Sequence, residues 1–169
     1  MAPAAIYYHF ESKDHLLGAV LEQLSQAVTN CTRDEHGNLL DIPTTTRNVW
    51  AWMATHEDEA RLIYLWMVPA STEADTVRRR FFERHVYQSG QRVAAGRGKS
   101  RNMTVLERLA ARTVVTLTLK ISIARLTDEH AKQWSNDEIV VALTDAMTRV
   151  LTAPDRLRQA PAAGKAATA

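Results

Sequence analysis

Apolar residues recur at helical spacing along most of this chain, and nowhere do they alternate one in two. Leu16, Leu17, Val20, Leu21, Leu24 and Val28 follow in steps of three and four, which line one face of a helix, whereas a half-buried strand requires a period of two. The pattern resumes after each cluster of turn-forming residues. It predicts helices from Ser12 to about Arg33, from near Thr44 to about His56, and from Glu57 to Val68, closed by Pro69. Three more are expected: Ser71 or Thr72 to Ala95, Met103 to Leu126, and a last one capped by Ser135 or Asn136 and running to about Thr152, with Pro154 and Pro161 bracketing its exit. The fold class expected is all-α. The helix from Met103 places Leu106, Leu109, Ala110, Thr113, Leu117, Ile121 and Ala124 on one side. Val114, Val115, Leu119 and Ile123 flank it on the other, more apolar surface than one neighbour within the chain would cover.

A chain of 169 residues suits one domain that buries roughly 70% of its unfolded surface and needs no cross-links. The single cysteine, Cys31, excludes a disulfide framework within the chain, and a reducing, cytoplasmic setting is expected. No stretch approaches the ~18 apolar residues of a membrane span.

The segment Ala4-Ala5-Ile6-Tyr7-Tyr8-His9-Phe10-Glu11-Ser12-Lys13-Asp14-His15-Leu16-Leu17 carries the strongest local signal. Three aromatic rings and an imidazole stand side by side, too polar for a core strip and too aromatic for an idle loop. Ser12 is a good N-cap and Asp14 complements the helix dipole. Free backbone N–H groups at that helix start, together with the Lys13 ammonium, suit a phosphate. An aromatic turn that pins two helices together fits the same residues.

This stretch resembles the join between the recognition helix and the fourth helix in the TetR/AcrR family of bacterial transcriptional repressors. The family pattern there is Leu-Tyr-x-His-Phe, then Ser-Lys and a leucine pair. Ile6, Tyr7, His9, Phe10, Ser12, Lys13, Leu16 and Leu17 fit it. The resemblance covers about a tenth of the chain and implies a TetR-like helical ligand-binding and dimerisation domain. It implies DNA-binding roles for Tyr7, Tyr8, His9 and Lys13, mostly to phosphates, which set affinity and register rather than sequence preference. In the family two helices and the start of a third precede the position of Met1. With 16 Arg against 5 Lys and 25 Ala, the coding sequence reads as GC-rich, and a valine codon read as a start is the expectation. Residues 1–15 would be the remnant of a helix-turn-helix, 12–156 the regulatory and dimerisation domain, and 157–169 a disordered tail.

The function this implies is a ligand-responsive transcriptional regulator, a repressor that binds double-stranded operator DNA as a homodimer when full length. The alternative is a stand-alone dimeric helical module that binds a small molecule and no DNA. The expected effector is small and largely apolar, met by Trp50, Met53, Trp66, Met67, Phe82 and Leu117, because rings and thioethers between helices can line an apolar cavity. In the family the last two long helices pair with their copies. Thr113, Leu117, Ile121, Leu143, Met147 and Val150 are the corresponding interface candidates.

No enzyme, cofactor or metal is expected. Gly98-Lys99-Ser100 ends like a phosphate-binding loop, but Val93 stands where the leading glycine belongs. The six histidines show no metal-ligand spacing and read as surface or packing residues. From Arg78 to Arg101, eight Lys/Arg face Glu83 alone. That run reads as a solvated face or, more sharply, as a site for an anion.

Overall fold

The computed structural model describes residues 9–65, 72–95 and 103–159. Among them the chain is all-α. The helices are α1 (Lys13–Asn30), α2 (Ile42–Thr55), α3 (Glu57–Leu65), α4 (Thr72–Ala95), α5 (Val105–Thr127) and α6 (Asn136–Gln159), with one 3-10 turn at Ala131–Gln133. No helix among the described residues is long and apolar enough to cross a membrane.

Most helix starts follow from their caps. Ser12, in extended backbone, accepts the His15 N–H at 3.0 Å. Asp41 accepts from Thr44 N at 2.7 Å, and Pro43 falls in the first turn, where its missing N–H costs nothing. Thr104 and Glu107 form a reciprocal capping box at α5, and Ser135 and Glu138 form another at α6. Between α1 and α2 the Asp34 carboxylate accepts from the backbone N–H groups of His36 and Asn38. Gly37 there adopts φ +81°, a conformation that other residues reach only with strain.

Helix α1 packs on α4, α4 on α5, α5 on α6 and α6 on α2, while α3 touches α1, α2 and α5. Gly18 of α1 is buried, and a Cβ there would stand 3.1 Å from Glu73 Cβ of α4, so the two helices approach closely at that point. The core they enclose includes Val28, Trp50, Met53, Ile63, Tyr64, Val114, Leu126, Ile139, Leu143 and Leu151. Each large side chain so buried contributes about 1.5–3 kcal/mol relative to exposure.

Two expectations change, and Cys31 is newly placed. On α5 the buried residues are Glu107, Ala110, Ala111, Val114, Ser122 and Leu126, so the inner face is rotated from the one expected, and Leu106, Leu109 and Thr113 lie on the exposed side. A helix apolar on most sides does not disclose its inner face, and a capping glutamate and a serine occupy buried positions. Helix α6 continues past Pro154 to Gln159, taking in residues 157–159 of the expected tail; residues 160–169 lie outside the described part. Cys31 follows the last residue of α1 at its C-cap, half-buried, with its thiol on the Ala27 carbonyl at 3.4 Å. Burial pushes that thiol up from its ordinary pKa.

Candidate ligand cavity

A cavity of about 360 Å³ opens between all six helices, α3 contributing Tyr64, within the range of small-molecule sites. Aromatic and aliphatic side chains supply most of its wall: Trp50, Phe81, Phe82, Val114, Leu119 and Ile123 among them. Threonines join them, with their hydroxyl protons already donated to backbone carbonyls. Thr46 donates to Ile42 O at 2.8 Å and Thr118 to Val114 O at 3.0 Å. Thr32 donates to Thr29 O at 2.6 Å. The wall is therefore less polar than its residue names suggest.

Three cations also line it: Arg78, Arg92 and Lys120. Arg78 holds Asp75 at 2.5 Å. Arg92 donates to Leu40 O at 2.7 Å, Thr45 Oγ1 at 3.0 Å and Thr32 O at 3.3 Å, closing the α1–α2 loop over one end of the cavity. Burial lowers the Arg92 pKa from its ordinary value, and a guanidinium remains charged there. Lys120 is exposed. No Asp or Glu is among the described lining residues.

Two further polar groups in the wall are placed differently. The His85 ring donates from Nδ1 to the Phe81 carbonyl at 2.8 Å and packs on the Phe81 ring at 4.3 Å between centroids. Its Nε2 is buried without a hydrogen-bond partner among the described residues, as is the indole Nε1 of Trp50. Burial, with smaller contributions from Arg84 and Arg92, lowers the His85 pKa to about 4, so the imidazole is neutral near pH 7.

Of the residues expected to meet an effector, Trp50 and Phe82 line the cavity. Met53 is buried in the core, and Leu117 is half-buried against it. Neither is in the cavity wall. Trp66 and Met67 lie outside the described residues. His85, expected on the surface or in packing, belongs to the wall, and nothing in the local spacing separates it from the other histidines. The basic run divides: Arg78 and Arg79 pair with Asp75, Arg84 with Glu22, and Arg92 binds neutral oxygens. Residues 96–102 of that run lie outside the described part.

Of the interface candidates, Leu143 and Met147 are buried within the chain itself, and Met147 borders the cavity. A side chain covered by its own α2 and α5 neighbours has no surface left for a second subunit, so both become core residues. Leu117, Ile121 and Val150 are half-buried and Thr113 is exposed. Among the described residues, the large exposed apolar side chains on these helices are Val105, Leu106 and Leu109 of α5 and Val141 of α6. At the other end of the molecule His9 and Lys13 are exposed, with Phe10 edge-on to His15 at 5.6 Å. Tyr7 and Tyr8 lie outside the described residues.

Cavity and fold together define an all-α domain with an internal, mainly apolar pocket. No family model, curated protein or solved structure matches this chain. Among the described residues no group of His, Cys, Asp and Glu is placed to hold a metal ion.

Proposed function

We propose that this chain is the effector-binding part of a TetR-like transcriptional regulator, whose cavity takes a small, largely apolar molecule and whose assembly is a homodimer. The observation that carries the reading is the cavity itself. It lies among six helices, and the end of α1 at Val28 forms part of its wall. The opposite end of α1 starts at the Ser12 cap, next to the segment on which the resemblance rests. Ligand binding can act on DNA affinity only if the ligand prefers one of two arrangements, and α1 is the element common to both sites. The exposed Val105, Leu106 and Leu109 support a second copy against α5.

The test has two arms. Residues encoded directly upstream are joined to the chain, and the product is used to select duplexes from a random-sequence library. A palindromic consensus bound with steep salt dependence is expected, with affinity lost when an apolar ligand fills the cavity. Absence of any selected sequence, alongside retained ligand binding, would establish the stand-alone module in its place. Sedimentation at tens of micromolar is expected to give a dimer mass, and a monomer overturns that part.

A further inference from the structure

Charge is nearly balanced along the chain, with 21 Lys and Arg against 19 Asp and Glu, but not in the cavity wall. Arg78, Arg92 and Lys120 line it, and no carboxylate does among the described residues. The three cations are not equivalent. Arg78 is paired with Asp75, and Arg92 is held by the Leu40 and Thr32 carbonyls and the Thr45 hydroxyl. Lys120 has neither an ion pair nor a hydrogen bond among the described residues.

The helix pairing places these charges. Glu83 of α4 meets Arg112 of α5 at 2.9 Å, and Gly90 abuts Met103, so the two helices run antiparallel. Going back along α4 to Arg78 and forward along α5 to Lys120 therefore leads to one end of the pair, and Arg92 stands toward the other. Lys120 is exposed and yet lines the cavity, which puts it at the opening. A lysine there can lay its apolar stem along the wall and keep its ammonium in water.

A charged ligand group buried in the middle of the cavity would lose its hydration at a large cost. At the opening it keeps most of its water and still meets the ammonium. A cation would be repelled there and would find no carboxylate in the described wall. A neutral molecule would gain nothing from the charge. One unpartnered ammonium matches one negative charge.

We propose that the cavity takes an apolar molecule carrying a single carboxylate, its body among the aromatic and aliphatic walls and its carboxylate at the opening against Lys120. This rests on the cavity being a ligand site, as proposed above. Lys120 is then the residue that selects an acid over its neutral counterpart.

The experiment uses three molecules of one chain length: decanoate, decanamide and decylammonium. Each is titrated by calorimetry into the wild-type chain, Lys120→Met and Lys120→Arg. In the wild type decanoate is expected to bind about fivefold more tightly than the amide, the upper end for an ion pair in contact with solvent, and decylammonium most weakly. The advantage of the acid should fade at ~1 M salt. It should vanish in Lys120→Met and persist in Lys120→Arg, with decanamide affinity unchanged in both. Equal binding of acid and amide by the wild type overturns the proposal and leaves the cavity reading intact, and so does an acid advantage that survives undiminished in Lys120→Met. If none of the three binds, both fall.

A second measurement reads the contact in the wild-type sequence. Lysines are reductively methylated with an isotope label, which keeps their charge, and the Lys120 signal is assigned by its absence from Lys120→Arg. Decanoate should shift that signal more than decanamide does. A Lys120 signal that ignores saturating decanoate overturns the assignment.

Discussion

The loop end of the cavity and its middle are built on opposite principles. At the loop end each named polar contact is closed. Arg92 serves three oxygens, Asp34 gathers the N–H groups of His36 and Asn38, and Arg33 reaches the Gly37 carbonyl. In the middle, His85 and Trp50 each keep a buried polar atom open. The first region reaches solvent, with Arg33, His36, Gly37 and Asn38 exposed, whereas the second is buried. A closed network stabilises the fold, whereas unpaired buried atoms lower its stability. Polar residues in a cavity wall are therefore told apart by whether their contacts are complete.

Substitutions should separate the two regions. The largest effect is expected from Arg92→Met, which strips a charged donor from two carbonyls and a hydroxyl. A loss of about 3–4 kcal/mol should appear in urea unfolding, and a loss below ~1 kcal/mol would mean that the loop is not held by these contacts. Next comes pH. The His85 pKa falls from an ordinary value near 6.5 to about 4, so between those values the unfolded chain binds a proton that the folded chain refuses. Stability from this group is complete above pH 6.5 and is lost as pH falls toward 4, by up to about 3 kcal/mol in all. Comparing wild type with His85→Phe across that range isolates it: the difference should change with pH in the direction stated, and a constant difference would refute the burial argument. Gly37→Ala tests the loop by backbone alone. Its φ is +81° and a Cβ would meet nothing within 4 Å, so a cost of about 1 kcal/mol from conformation is expected. The smallest effect carries the opposite sign. Thr144 has a buried hydroxyl without a partner among the described residues, and Thr144→Val should raise the unfolding free energy by about 0.5 kcal/mol or leave it unchanged.

Helix starts were legible because caps act locally. Ser12 and Thr104 each lie within three residues of the N–H group they satisfy. The inner face of α5 was not legible, since apolar side chains occupy several of its sides and only neighbouring helices choose between them. Trp50 and Phe82 were readable as cavity residues from size and position. His85 was not. Its place depends on a contact to Phe81 one turn back and on walls contributed by five other helices, and no spacing along one helix records that. The Arg92 contacts were equally hidden, because their acceptors lie 47 to 60 positions away.

The close approach at Gly18 has a mechanical consequence. Helix α1 runs ten residues from Gly18 to Val28 in the cavity wall and five back to Lys13, or about 15 Å and 8 Å at the helical rise. A rod braced against Glu73 at that point is a lever with unequal arms. A rigid helix pivoting there would carry a displacement of the cavity end to the Lys13 end with its direction reversed and its size about halved, and Gly18→Ala, which requires Glu73 to give by a few tenths of an ångström, would shift the pivot itself.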